Sequence, residues 1–137
     1  MMMVLSDILL LNLMRGLRLL KNKEFCVSDF YLTGNYLNSQ EKLVVKALTE
    51  ESCIEVFELA NDFYTFFNIY RNTNFAVTEL SSVFYAKQNS IPLITHCEKL
   101  ADFAKTFNIV VYEIDTALKI INVEQERINF LNSMKIV

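Results

Sequence analysis

The chain has 137 residues, 53% of them apolar, only two glycines and one proline, and a formal net charge of -3. That length suits one hydrophobic core, so 1–137 reads as a single domain, and so few glycines and prolines leave no place for a flexible linker or a low-complexity tract. The acidic balance excludes gripping nucleic acid by bulk charge, and three cysteines without a C-x-x-C pair exclude a disulfide framework or a zinc knuckle.

Reduced thiols of this kind suit a cytoplasmic protein. The apolar content exceeds what one core needs, which points to a surface shared with a second copy and hence to a homodimer.

The chain opens on a short apolar run, Met2 to Leu5, followed by Ser6-Asp7 and then Leu10, Leu13, Leu17 and Leu20 at helical spacing: strand, turn, helix. Asp7, Asn12, Arg15 and Arg18 interrupt this greasy start, so neither a signal peptide nor a membrane span is expected. Arg15, Arg18, Lys21 and Lys23 gather four basic residues in one segment. They are either the wet face of that helix or a local patch for the phosphates of RNA.

Phe25-Cys26-Val27 reads as a second strand, with Ser28-Asp29 as cap-type residues after it. A helix follows from Ser39, with Leu43, Val44, Ala47 and Leu48 on its inner face. Cys53 to Leu59 fits a helix or a strand equally well. Phe63, Phe66, Phe67 and Tyr70 then fall at i, i+3, i+4 and i+7, an amphipathic helix with an aromatic face. Stacking on unpaired bases would need basic neighbours, and only Arg71 is near, so core or dimer packing is the expected use.

Thr78 is the expected N-cap of a helix running to about Gln88, with Leu80, Val83, Phe84 and Ala86 inward. Ile91 to Thr95 reads as a buried strand. Leu100, Phe103, Ala104 and Phe107 mark another helix, Asn108 its stop, and Ile109 to Tyr112 the next strand. Segments 116–121 and 124–131 finish the chain as helix. Alternating helices and strands imply right-handed crossovers between parallel strands. Ligands in such sheets bind beyond the carboxyl ends of the strands, which singles out Ser6-Asp7 and Thr95-His96-Cys97.

The phrases Val4-Leu5-Ser6-Asp7, Glu79-Leu80-Ser81-Ser82-Val83-Phe84-Tyr85-Ala86, Pro92-Leu93-Ile94-Thr95-His96-Cys97-Glu98-Lys99-Leu100, Phe103-Ala104 and Asn108-Ile109-Val110-Val111 occur in an order and spacing that resembles the PIN-domain nucleases, in particular compact bacterial members. The likeness is good over 77–112, fair over 4–20 and poor between. It implies a three-layer α/β/α domain with a central, mostly parallel sheet flanked by helices. It also implies Asp7 and Glu79 as catalytic carboxylates that ligate Mg²⁺ or Mn²⁺, with Thr95 orienting a water or phosphate. From the basic segment, Arg15 and Arg18 are the candidate substrate-binding residues. Hard cations of this kind take oxygen ligands and lower the pKa of a bound water beside a phosphodiester.

Two positions depart from the family pattern. Cys97 stands where a further acid is usual, and a thiol is a poor ligand for a hard cation. Gly34-Asn35 stands where a glutamate is usual; Glu41 is the nearest later acid and Asp29 the nearest earlier one, each needing a register shift. Glu79 and Asp7 also have a plainer reading, as a helix-dipole acid and a cap. His96 and Cys97 are adjacent and so point about 100° apart on a helix, which argues against a Cys-His nucleophile.

The expectation is a divergent PIN-like protein with an impaired site, binding RNA or a small antitoxin-like protein. The alternative is an active Mg²⁺/Mn²⁺-dependent endoribonuclease, such as the toxin of a toxin-antitoxin pair.

Overall fold

The computed structural model describes residues 2–5, 14, 17, 24–31, 39–51 and 54–134. Its elements are β1 (Met3–Leu5), β2 (Phe25–Ser28), a 3₁₀ turn (Asp29–Tyr31), α1 (Ser39–Glu50), β3 (Glu55–Phe57), α2 (Phe63–Tyr70), α3 (Val77–Asn89), β4 (Leu93–Ile94), α4 (Glu98–Lys105), β5 (Val111–Tyr112), α5 (Ile114–Ile120) and α6 (Gln125–Met134). The helix expected through Leu10 to Leu20, with its basic stretch, lies outside the described residues except for Met14 and Leu17.

The five strands form one parallel sheet in the order β3-β2-β1-β4-β5. Strands buried on both faces read as unbroken apolar runs, which is what Met3-Val4-Leu5, Phe25-Cys26-Val27 and Leu93-Ile94 are. Alternation along each strand sends its side chains to two separate cores. Met3, Leu5, Phe25, Val27 and Ile94 pack with Val45 and Leu48 of α1, Ile114 and Leu118 of α5, and Ile128 and Leu131 of α6. Val4, Cys26, Phe57 and Leu93 pack with α2, α3 and α4 on the other face. The architecture is therefore three-layer α/β/α.

Phe63 and Phe66 of α2 are buried and pack on Phe84 of α3, at centroid distances of 5.5 and 5.2 Å. Phe66 also meets Phe107, and Tyr70 meets Phe103 and Phe107 edge-on. The aromatic stripe is thus core, and the outward large apolar residues of α2 are Tyr64 and Ile69. The undecided segment after Cys53 supplies β3, whose register with β2 runs from Cys26↔Glu55 to Ser28↔Phe57.

Three local expectations are corrected. Leu43 is 65% exposed, because the inner face of α1 is centred on Val45 and Leu48. Thr78 is not an N-cap: α3 begins at Val77 after Ala76, and Thr78 lies buried in the first turn, where its carbonyl accepts bonds from the hydroxyls of Ser81 and Ser82. Those two small buried side chains leave room for α3 to lie against β1 and β2. The third concerns length, since only Leu93–Ile94 and Val111–Tyr112 of the two C-terminal runs enter the ladder. Ser90 and Asn108 end α3 and the turn after α4 in left-handed conformations, φ 52° and 62°.

Candidate functional site at the carboxyl edge of the sheet

In a sheet ordered 3-2-1-4-5 the connections reverse direction between β1 and β4, which opens a crevice beyond the carboxyl ends of those two strands. Leu5 and Ile94, the last residues of β1 and β4, are register partners. Beyond Ile94 the chain leaves the sheet at Thr95, which is buried. Thr95 N–H donates to the carbonyl of Tyr112, and its Oγ1 accepts the backbone N–H of Cys97 at 3.1 Å. That second bond turns the chain into α4, whose first residue is Glu98.

A cavity of about 470 Å³ opens here, lined by Thr95, His96, Cys97, Glu98, Asp102 and Glu113 among others. Thr95 and Cys97 therefore share one cleft, and Cys97 is exposed in it as a free thiol. The acids Glu98, Asp102 and Glu113 line the cleft without converging. Among the described residues no three His, Cys, Asp or Glu side chains come together in a way that could hold a metal ion. The described donors of this cleft do not fit Mg²⁺ or Mn²⁺, since the residue there at an expected acid position is Cys97, a soft sulfur.

Glu79 is turned back on its own helix. It stands at N3 of α3, and its Oε1 accepts the N–H of Ala76 at 2.9 Å. This is one half of a capping box; Ala76 has no side-chain oxygen with which to return the bond. The N-terminus of α3 faces the carboxyl edge of the sheet, because its C-terminus leads through Ile91-Pro92 to the start of β4. Glu79 does not line the Thr95–Cys97 cleft. Asp7, Arg15, Arg18 and Asn35 lie outside the described residues, as does the side chain of Glu41, although its backbone is the third residue of α1.

Asp29 stands at the carboxyl edge of the sheet. It follows β2 directly, and β2 lies beside β1. Burial, then the nearby charge of Glu58, raises the Asp29 carboxyl above the ordinary carboxylate value, against a smaller lowering by backbone N–H donors at Phe30 and Asp29. Glu58 follows β3 as directly as Glu113 follows β5. An acid immediately after a strand is the signal by which the sequence could have placed these groups at one edge.

Elsewhere the titratable core group is Cys26, whose thiol is pushed up to about 12 by burial and then by Glu55. Its Sγ lies 3.6 Å from the Met3 carbonyl, to which it donates, so it serves the sheet and not the cleft. Among the described residues no helix is long and apolar enough to cross a membrane. No family model, curated protein or solved structure matches this chain.

Proposed function

We propose that this chain is a divergent PIN-like protein, related to metal-dependent ribonucleases, that has an impaired site and acts by binding RNA or a protein partner. The observation that carries this reading is the meeting of β1 and β4 at the switch point. There the strand that leads into Ser6-Asp7 lies beside the one that leads into Thr95-Cys97. The impaired state rests on the described donors, which include a thiol at one acid position and a Glu79 carboxylate already holding Ala76 N–H. Arg15 and Arg18 remain the proposed phosphate contacts.

One observation favours the second reading, an active Mg²⁺/Mn²⁺-dependent endoribonuclease of the toxin kind. Asp29 supplies, at the end of the strand next to β1, the acid that Asn35 does not. Asp7, Glu79 and Asp29 would then be the oxygen donors, with Glu41 in reserve, and the metal would supply a water nucleophile at neutral pH.

Purified protein incubated with labelled single-stranded RNA, with and without Mn²⁺, separates the two. RNA binding without cleavage is the expected result. Mn²⁺-dependent cleavage that Asp7→Asn abolishes overturns the impaired reading in favour of the active one. Neither binding nor cleavage, with no metal-dependent rise in melting temperature, overturns both RNA readings.

A further inference from the structure

The two edges of the sheet differ in how they are protected. On β3, Glu55 is exposed within the strand and Glu58 directly after it, so a second copy laid there would bring like charges together. β5 carries no charge within the strand: 109–112 is uncharged, Val110 just before the strand is 52% exposed, and the adjoining acid is Glu113, directly after it. The carbonyls of Val110 and Tyr112 accept from the N–H groups of Leu93 in β4 and Thr95 just after it, so alternation turns the N–H and C=O of Val111 away from β4. On that side β5 has no neighbouring strand among the described residues.

The two ends of this edge carry opposite charge. At the amino end lies a cavity of about 480 Å³ lined by Pro92, Phe107, Val110 and Tyr112, in which Lys87 is the one charged lining residue. Its Nζ sits 5.6 Å from the centroid of the Phe107 ring. At the carboxyl end, Glu98, Asp102 and Glu113 outnumber Lys105. An edge that is positive at one end and negative at the other is complementary to itself when turned through a two-fold axis.

We propose that β5 is a self-association edge, at which two copies pair antiparallel about Val111 and join their sheets into one. In that arrangement Val110 of each copy packs across from Tyr112 of the other on one face. The Lys87 end of each copy also meets the Glu113 end of the other. A two-residue ladder is too small alone, since stable interfaces bury about 800 Å² per partner, and the rims formed by Pro92 and Phe107 extend it. This assignment is independent of the RNA reading.

Sedimentation of the full chain over a concentration series tests it, with circular dichroism to show that each variant is folded. The wild type is expected to reach about twice its 15.9 kDa chain mass, and Val110→Asp to remain at one. Lys87→Glu and Glu113→Lys each raise the dissociation constant about tenfold, and the double reversal restores it. A wild type that is monomeric throughout overturns the proposal. So does a dimer unmoved by Val110→Asp and by both single reversals.

Discussion

Glu79 distinguishes a helix cap from a metal ligand, because the two roles respond differently to the same pair of substitutions. Its Oε1 holds Ala76 N–H at 2.9 Å, and its charge lies in the first turn of α3. Glu79→Gln keeps an amide oxygen in place to accept that bond and removes only the charge at the positive end of the helix dipole. For a half-exposed group that is worth about 0.5 kcal/mol. Glu79→Ala removes the bond as well, for a total of about 1–1.5 kcal/mol. In a domain of this size the losses correspond to about 2 °C and about 5 °C in melting temperature. Thermal and urea denaturation followed by circular dichroism, each with and without Mn²⁺, reads both roles. If Glu79 only caps, any Mn²⁺ shift is the same in wild type and in the Gln variant, and the two losses stand about as given. If it is a ligand, Mn²⁺ raises the wild-type melting temperature and the Gln variant loses that rise. A Glu79→Ala protein as stable as wild type in the absence of metal would refute the capping geometry itself.

Phe63→Ala should cost about 3–5 kcal/mol, since the ring is buried and meets Phe30, Phe66, Phe67 and Phe84; urea unfolding with a loss under about 1 kcal/mol would contradict the packing. The Cys26 thiol is held up to about 12 from an ordinary 9.0, so the folded state keeps its proton where the unfolded state loses it. Its stabilising preference is whole below pH 9 and is lost as pH rises toward 12, so wild type should lose stability more steeply than Cys26→Ala across that window. In a Cys53→Ser background, a thiol reagent should label Cys97 in the native state and Cys26 only on unfolding. Asp29, raised chiefly by burial, carries a cost that is absent below the ordinary 3.8 and grows as pH rises through its folded value. Asp29→Asn should therefore stabilise the protein at pH 7 and do little near pH 3, which paired urea titrations would show.

Much of the element order was legible because helix and strand periods are local. Phe63, Phe66 and Tyr70, or Leu100 and Ala104, announce a buried face within one or two turns, and the structure buries or half-buries each of them. Val4-Leu5 and Leu93-Ile94 are apolar without alternation because both faces of the sheet are covered. Leu43 misled for the same local reason, since a helix of mixed apolar residues admits two neighbouring faces and only the sheet beneath α1 selects Val45 and Leu48.

The candidate site divides in the same way. The sequence by itself determined that Thr95 and Cys97 stand at the end of a strand, because strand period is a property of short segments. Only the tertiary structure decided which strands are neighbours. Met3 pairs with Phe25 and Val4 with Leu93 across long stretches of chain, and such pairings are chosen by the joint burial of two sheet faces, which no short window contains. That choice brings Asp29, directly after β2, to the carboxyl edge beside the end of β1. It also leaves β5 as the uncharged edge of the sheet.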